Sequence, residues 1–377
     1  MRLIHLTSSG GWGGREMYPA ALARLQRERG QEVSLVAKKN TPLERFLAAS
    51  DLDYDILRVG PYLDPAAAWQ LARILEKRAP RIIHIHLSRD MALVSLACSL
   101  ARIRPALILH KHIASAGNKR DILHRYLYGR LAAVVAVSEY VKRSLLESCP
   151  LNTSRVKVIF NGVDTSLFEM SQQQSEPGRD SVRKELGAAD PDTLLAGVVG
   201  RLEPRKGQEV FLEAAANLAA RTGKMRFAVV GAAEGEYDRF LKNKCEALGL
   251  EGRVVFSGHR RDSHAVFAAL DILVVPSFEE AFGLVAVEGM LAGLPVVAAS
   301  SGALPEFIEH GRTGLLVPVR DSGALAETLE RLAESSDLCR ELGNRARAWA
   351  QENLSMERIL DRIDKLYEEC ISGLQPE

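Results

Sequence analysis

The feature that most constrains this fold is a repeated alternation of short strand-like runs with segments of helical periodicity. In the first half of the chain, the strand-like runs are RLIHLT, EVSLVA, YDILRV, RIIHIHL, ALILHKH, AVVAVS and VKVIF. Strands that alternate with helices form parallel, doubly wound sheets. We therefore predict an α/β fold.

A second alternation follows a polar interruption. The stretch EMSQQQSEPGRDS contains Pro and Gly and almost no apolar residue, which is typical of a linker. The runs LLAGVVGR, RFAVVG, VVFSG, DILVVPS, PVVAAS and GLLVPV come after it. A chain of 377 residues also exceeds the usual size of one hydrophobic core. We predict Rossmann-like domains over 1–168 and 191–352 that face a central cleft, a linker over 169–190, and a terminal helix over 353–377 that crosses to the first domain.

Composition narrows the class of protein. The five cysteines lie far apart without a CxxC pair, which argues against a disulfide framework or a thiolate zinc site. No secretory signal and no apolar run long enough to span a bilayer is found, so we expect a cytoplasmic protein.

Charge is unevenly distributed along the chain. Up to Asp164 there are 25 Lys and Arg against 14 Asp and Glu, and the remainder has 24 against 34. Either the two halves attract each other, or the basic half contacts an anionic substrate or the inner membrane face. Nucleic acid is not expected as a partner, because the basic residues are not interleaved with aromatic residues.

The stretch EEAFGLVAVEG, residues 279–289, connects a strand-like run to a helix-like one. If the helix begins near Phe282 or Gly283, Glu280 lies in the loop and Glu288 inside the helix, about 12 Å apart at about 1.5 Å per residue. Free N–H groups at the helix start would then bind a diphosphate between two carboxylates that accept hydroxyl hydrogen bonds. A helix start with one favourable Glu and one surface Glu is the alternative.

Two further loops follow predicted strands. Arg201 and Lys206 in GRLEPRKG come after a strand and before a helix, a position that suits an anion. Gly13, Gly14 and Glu16 open a helix after the first strand, although HLTSSGGWGGRE does not match GxGxxG. Solvated cations and a structural glycine turn are the alternatives.

Taken together, these motifs resemble the retaining GT-B glycosyltransferases of family four. The resemblance rests on GGRE, FNGVD at 160–164, GRLEPRKG at 200–207 and two glutamates with seven residues between them, the EX7E pattern, and it covers nearly the whole chain. It implies a sugar-nucleotide-dependent hexosyltransferase that retains anomeric configuration. A glycan or glycolipid of the cell surface, such as lipopolysaccharide, is the expected acceptor.

The resemblance also implies roles for particular residues. Arg201 and Lys206 would neutralise the donor diphosphate, Glu280 would contact the donor sugar and Glu288 the ribose. The remaining donor contacts would come from Phe282, Gly283, Leu284 and Val285 through the backbone and from the SGHR segment with His259 near the base. The sugar and acceptor side would hold Gly13, Gly14 and Glu16.

Such enzymes also carry a histidine after the fifth strand, and LILHKH offers His110 and His112. We select His112, which would hydrogen-bond the donor sugar or act as an acid or base. His84 with His86 and His110 with His112 form two H-x-H pairs, so a zinc site is an alternative. We expect no metal and no other cofactor, because the D-x-D strings near residues 51–55 and 190–192 precede strands rather than follow them.

Two other functions and one membrane contact remain open from sequence. A sugar-nucleotide epimerase or a catalytically silent nucleotide-sugar-binding protein would use the same scaffold. The segment NKRDILHRYLYGRLAA predicts an amphipathic helix with Ile122, Leu123, Tyr126, Leu127 and Leu131 near one face. That face either packs on its own sheet or makes shallow contact with an anionic membrane.

Overall fold

The fold comes from a computed structural model, which describes residues 1–60, 64–165, 168, 176–219, 221, 223, 225–232 and 235–373. The chain divides into two compact units, Met1–Gly162 with Met356–Glu377, and Val163–Ser355. The first unit therefore ends at Gly162 instead of 168, and the terminal segment joins it at Met356 instead of 353.

The first unit is a seven-stranded sheet of parallel strands in the order β3-β2-β1-β4-β5-β6-β7. Its strands are β1 (Arg2–Thr7), β2 (Glu32–Lys38), β3 (Tyr54–Leu57), β4 (Ile82–Ile85), β5 (Ala106–Lys111), β6 (Ala133–Ala136) and β7 (Val156–Val158). Its helices are α1 (Gly14–Glu28), α2 (Pro42–Ala48), α3 (Pro65–Arg78), α4 (Asp90–Leu100), α5 (Ile122–Gly129) and α6 (Glu139–Ser148).

Local chemistry fixes where several of these helices begin. Asp64, Asp121 and Ser138 each accept a hydrogen bond from a backbone N–H in the first turn of α3, α5 and α6. Pro65 occupies the first position of α3, where its missing N–H costs nothing. These caps fix the residues at which the three helices begin.

The second unit is a six-stranded parallel sheet in the order β10-β9-β8-β11-β12-β13. Its strands are β8 (Leu194–Val199), β9 (Met225–Val230), β10 (Val254–Gly258), β11 (Ile272–Val275), β12 (Val296–Ala299) and β13 (Leu315–Val317). Its helices are α7 (Glu176–Glu185), α8 (Gln208–Ala219), α9 (Tyr237–Ala247), α10 (Ser263–Ala269), α11 (Leu284–Ala292), α12 (Ser322–Ala333) and α13 (Ser336–Leu354). Two parallel-sheet Rossmann-like domains confirm the predicted fold class.

The terminal helix, α14 (Met356–Ser372), belongs to the first unit. Its buried face packs into the core of that unit with α1. Gly162 is required where this helix arrives, because a Cβ there would lie 2.7 Å from the Met356 Cα. The helix therefore covers the first sheet although it follows the second in sequence.

The predicted linker is partly a helix. Residues 169–175 lie outside the described part of the chain, but α7 occupies Glu176–Glu185 and packs on α10. Arg183 is buried there, pairs with Asp271 at 2.8 Å and donates to the Thr193 carbonyl. The polar composition of residues 169–190 predicted a linker. Composition alone does not reveal that a charged side chain such as Arg183 is buried and paired.

Among the helices in the described ranges, none is both long enough and apolar enough to cross a membrane.

Candidate functional site

Several loops meet at the carboxyl edge of the second sheet, because the ends of parallel strands lie on one side. The Pro204–Lys206 turn after β8 is held against the loop after β11, where Phe278 N–H donates to the Arg205 carbonyl at 2.8 Å. Gly207 makes this approach possible: its φ is +71°, and a Cβ would lie 2.0 Å from the Pro276 oxygen. The turn therefore delivers Lys206 to the Glu280 loop.

Lys206 and Glu280 form an ion pair at this edge. Glu280 is 7% exposed and also accepts a hydrogen bond from the Ser277 hydroxyl at 3.0 Å. Gly302 lies against the Glu280 backbone, where a Cβ would lie 2.1 Å from the Glu280 oxygen. The carboxylate is therefore fixed in position, and its partner cation is the lysine that the sequence assigned to the diphosphate.

Helix α11 begins directly after this pair. It starts at Leu284, and Gly283 is its N-cap with φ of 93°, close to the predicted start. A Cβ on Gly283 would lie 2.8 Å from a methyl carbon of Leu304, so the turn requires glycine. The N–H groups of the first turn, those of Leu284 and Val285 among them, have no carbonyl partner inside a helix, and the helix dipole favours an anion there. Phe282 is buried and packs against Phe307.

Glu288 lies one turn into α11 and is half-buried. Burial raises its pKa from 4.5 to about 7. Among the described residues it has no hydrogen-bond or ion-pair partner, unlike Glu280. A hydrogen bond from a ligand hydroxyl would stabilise the ionised form of such a carboxylate.

The other predicted donor residues lie at the same sheet edge. Arg201 follows β8, is largely exposed, and pairs with Glu203 at 3.2 Å. His259 follows β10 and is exposed. The ends of β9 and β10 are joined where Gly231 N–H donates to the Gly258 carbonyl at 2.9 Å. Parallel strand order thus brings all predicted donor residues to one edge, and their roles stay predictions.

The first sheet has its own polar edge, where Gly13 and Gly14 lead into α1. Glu16 is buried and accepts hydrogen bonds from the Ser9 hydroxyl at 2.6 Å and from Arg15 at 2.7 Å. Added Cβ atoms at Gly11 and Gly13 would lie 3.5 and 3.6 Å from the Glu16 carboxylate. These are ordinary contact distances, so the loop surrounds this carboxylate without requiring glycine at either position.

A cavity of about 430 Å³ opens at this edge. Three cations line it, and they are Arg15, Arg89 and Lys111. Lys111 donates to the Ser88 hydroxyl at 3.2 Å, and burial lowers its pKa from 10.5 to about 8. Arg15 has Glu16 as its partner, whereas no carboxylate partner of Lys111 is found in the described part of the chain.

His110 and His112 also line this cavity, and β5, which carries His110, pairs in parallel with β4, which carries His84. The side chains of His5, His84, His86, His110 and His112 form one buried stack. Burial lowers the pKa of His112 to about 3 and that of His5 to about 4. The stack is therefore neutral at physiological pH.

Two groups of three histidines in this stack bring their nitrogens within 4.8 Å of one another. The rings of His110 and His112 are 4.3 Å apart and inclined by only 3°, and His86 is inclined to them by 20° and 17°. A metal ion lies in the plane of each imidazole that binds it, and nearly parallel planes share no such point. The stacking therefore does not suit a zinc ion bound by His86, His110 and His112.

The D-x-D strings have other partners. Arg78 pairs with Asp53 and Asp55, and Arg27 pairs with Asp51. Asp190 accepts the backbone N–H of Asp192 in a turn. These carboxylates serve local structure.

Sequence reasoning missed several residues at both edges. Ser277 and Gly302 contact Glu280 but lie outside any short motif, and Lys111, the middle residue of the HKH motif, was not singled out. His5 had a readable signal: it occupies β1 directly beside His84 of β4, so it shares a face with the H-x-H pairs.

Two family models match the chain. The description Glycosyltransferase Family 4 matches residues 12–167, and Glycosyl transferases group 1 matches residues 179–349. These two ranges correspond to the two Rossmann-like units.

Individual relatives agree with these families. D-inositol 3-phosphate glycosyltransferase of Corynebacterium jeikeium is 33% identical over 66% of this chain, which spans 60% of that protein. N-acetyl-alpha-D-glucosaminyl L-malate synthase of Bacillus anthracis is 25% identical over 94% of this chain and 93% of its own. The crystal structure of HepE from Anabaena, in complex with UDP and glucose, is similar over 98% of this chain and 99% of its own, with 25% identity and a TM-score of 0.82.

Proposed function

Because this chain belongs to the group 1, family 4 glycosyltransferases, we propose that it moves a hexose from a nucleotide diphosphate sugar to an acceptor hydroxyl with retention of configuration. The observation that carries this proposal is the Lys206–Glu280 pair beside the start of α11. A cation, a carboxylate and free N–H groups, brought together by two loops, can bind the diphosphate and the hydroxyls of a nucleotide sugar.

The donor contacts follow from these groups. Lys206 and Arg201 bind the diphosphate together with the first N–H groups of α11, which also stabilise the charge on the departing phosphate without a metal ion. Arg201 is free to turn toward the donor, because an exposed pair such as Arg201–Glu203 is worth little. Glu280 binds hydroxyls of the hexose, and Glu288 binds those of the ribose.

For the chemical step we propose front-face attack. The glycosidic bond breaks through an oxocarbenium-like state, and the acceptor oxygen attacks from the face that the phosphate leaves. The departing phosphate oxygen takes the acceptor proton, so no protein nucleophile is required. His112 hydrogen-bonds a hydroxyl of the bound substrate.

We further propose that the acceptor carries an anionic group. The relatives named for inositol 3-phosphate and L-malate act on such acceptors by name. In this chain, Lys111 is buried beside the cavity without a carboxylate partner among the described residues, and its lowered pKa means that an anion would stabilise its charge. A phosphorylated cell-surface glycolipid, including a lipopolysaccharide precursor, is the narrower prediction.

An acceptor screen tests this part. With a donor that binds, we expect turnover with D-inositol 3-phosphate, L-malate or a phosphorylated glycolipid, and little with neutral glucose. Lys111→Met should raise the acceptor KM, and Lys142→Met, which removes a cation paired with Glu139 on α6, should not. Preference for neutral acceptors would contradict the anionic class.

The overall function is tested by a thermal-shift screen of nucleoside diphosphates and their sugars, because a ligand that binds only the folded state raises its stability. Proton NMR of the product should then show the anomeric configuration of the donor. Conversion of the donor sugar without acceptor would favour the epimerase, and binding without turnover of any acceptor would favour the silent binding protein.

We also propose that α5 contacts an anionic membrane from the cytoplasmic side. Ile122, Leu123 and Tyr126 are 87%, 51% and 55% exposed, whereas Leu127 and Leu131 are buried. The helix thus packs on α4, buries one part of its apolar surface and presents another part to the outside. Arg125 lies on the same helix, and a guanidinium favours anionic headgroups.

Sedimentation with liposomes tests this contact. We expect binding that requires anionic lipid and is lost in the double variant Ile122→Ser with Leu123→Ser. Trp69→Ser removes a side chain that is 64% exposed on α3 and should bind like the wild type. Equal sedimentation with neutral and anionic liposomes, or no sedimentation, would reject the contact.

A further inference from the structure

The five-histidine stack contains one continuous chain of hydrogen bonds. Gln26 Oε1 lies 2.7 Å from His5 Nε2, and His5 Nδ1 lies 3.0 Å from His86 Nε2. His86 Nδ1 in turn lies 3.2 Å from His112 Nε2. Helix α1 supplies the amide, and the ends of β1, β4 and β5 supply the three rings.

Every ring in this chain is buried, with His5 and His86 at most 2% exposed. Burial lowers the pKa of each imidazole, so all three are neutral. A neutral imidazole donates from one nitrogen and accepts at the other. The choice of donor nitrogen at one end of this chain of hydrogen bonds therefore fixes the donor nitrogen in every ring.

Gln26 makes that choice. Its carbonyl oxygen can only accept, so His5 donates from Nε2 and accepts at Nδ1. His86 must then donate from Nε2 to His5, and His112 must donate from Nε2 to His86. The result is an unprotonated Nδ1 on His112.

That nitrogen is buried and has no partner among the described residues, while His112 lines the cavity at the sheet edge. A buried acceptor without a donor is costly unless a ligand supplies one. A sugar hydroxyl is such a donor.

We propose that Gln26, His5 and His86 are positioning residues that hold His112 in the Nε2–H tautomer, so that Nδ1 accepts a hydrogen bond from a substrate hydroxyl. This inference rests on the proposed function for the identity of the substrate. It assigns no proton transfer along the chain, because the terminal amide of Gln26 cannot take up a proton. The chain fixes the direction of one hydrogen bond.

The first test is the histidine ¹⁵N NMR spectrum of the whole protein. Long-range couplings in it show which ring nitrogen bears the proton. We expect Nε2–H on His5, His86 and His112 in the wild type. Gln26→Glu keeps an acceptor and should keep this pattern. Gln26→Leu removes the acceptor, and His112 should then populate both tautomers.

The control is Tyr18→Phe. It removes a hydroxyl from a ring that packs edge-on against His110 and His112 but forms none of the hydrogen bonds from Gln26 to His112, so it should leave the His112 tautomer unchanged. Nδ1–H on His112 in the wild type, or the same His112 spectrum in the wild type and Gln26→Leu, would overturn the proposal. If Gln26→Leu does not fold, the wild-type and Gln26→Glu spectra decide.

Kinetics give the second test. Gln26→Leu should lower kcat about tenfold, the effect of one lost hydrogen bond in the transition state, with little change in the donor KM. Gln26→Glu should stay near the wild-type kcat. An unchanged kcat despite a changed tautomer would overturn the role of Nδ1. If no acceptor is turned over, the proposed function fails, whereas the tautomer result is still decided by NMR.

Discussion

The carboxyl edges of the two sheets differ in the groups at their centres. At the edge of the second sheet, Lys206 is paired with the buried carboxylate of Glu280, beside the polar start of a helix. At the edge of the first sheet, stacked histidines with lowered pKa values are neutral and connected by hydrogen bonds. One fold pattern thus provides a site centred on an ion pair and a site centred on neutral rings, with Arg15, Arg89 and Lys111 lining the cavity around those rings.

The two edges can therefore bind their ligands through different contacts. A diphosphate needs cations and N–H groups, and these must be held close by tight turns such as Gly207. A hydroxyl needs a directed acceptor, which neutral imidazoles can provide and charged ones cannot. The comparison makes four predictions, in order of expected effect.

The largest effect is expected from Glu280→Gln. It removes the carboxylate that pairs with Lys206 and accepts from Ser277, so kcat should fall about 100- to 1,000-fold while affinity for a nucleoside diphosphate changes little. The matched control is Glu279→Gln, because Glu279 is the adjacent residue and exposed. Equal activity of Glu280→Gln and wild type, measured as initial rates, would remove Glu280 from the charged site.

Lys206→Met should weaken nucleoside diphosphate binding about 10- to 100-fold, which corresponds to the loss of a charge-assisted hydrogen bond of ~1.5–3 kcal/mol. Arg205→Met is the control, since Arg205 is adjacent and pairs with the exposed side of Glu203. Isothermal titration calorimetry measures both. Similar affinities for the two variants would mean that the diphosphate is not bound by this turn.

Gly207→Ala should destabilise the chain by about 1–3 kcal/mol and weaken nucleotide binding, because a Cβ would collide with the Pro276 oxygen and displace the turn. Gly235→Ala separates the cost of a positive φ from the cost of the collision. Its φ of +89° is equally unfavourable for alanine, but nothing lies within 4 Å of the added Cβ. Thermal unfolding and titration should show the smaller loss of stability and normal binding for Gly235→Ala. Identical behaviour of the two variants would argue against the close approach.

The smallest effect is a pH-dependent gain of stability in Glu288→Gln. The folded pKa of Glu288 is about 7 and the unfolded value 4.5, so the unfolded state ionises first as pH rises. The native chain loses stability between these values, and the cost is complete above pH 7. Glu288→Gln removes this cost, so its Tm should exceed the wild-type Tm at about pH 8.5 and nearly equal it at about pH 4.5.

Weaker donor binding by the same variant would link this cost to function. A Tm difference that does not grow with pH would show that Glu288 is not destabilised by burial. The measurement is differential scanning calorimetry at both pH values, with and without nucleotide.

Sequence periodicity was sufficient for the architecture and for most of the charged edge. Strand and helix patterns predicted both sheets and the helix after the Glu280 loop, whose N-cap, Gly283, agrees with the expected start near Phe282 or Gly283. These features depend on local sequence alone. The direct pairing of Lys206 with Glu280 was not predicted, because it depends on the close approach of two loops 74 residues apart.

The histidine stack at the edge of the first sheet was harder to predict from sequence. Two H-x-H pairs were visible, but the link from Gln26 through His5 to His86 joins a helix to two strands. Side-chain hydrogen bonds of this kind depend on the packing angle of α1, which periodicity does not specify. The polar segment 169–190 was taken for a linker for a similar reason, since the partner of Arg183 is Asp271.

We expect the donor to bind at the charged edge of the second sheet. A crystal structure of the protein with a nucleotide diphosphate hexose decides this. The diphosphate should lie between Lys206 and the N–H groups of Leu284 and Val285, with the hexose at Glu280 and the ribose at Glu288. A donor bound at the histidine edge of the first sheet, with Lys206 and Glu280 still paired, would contradict it.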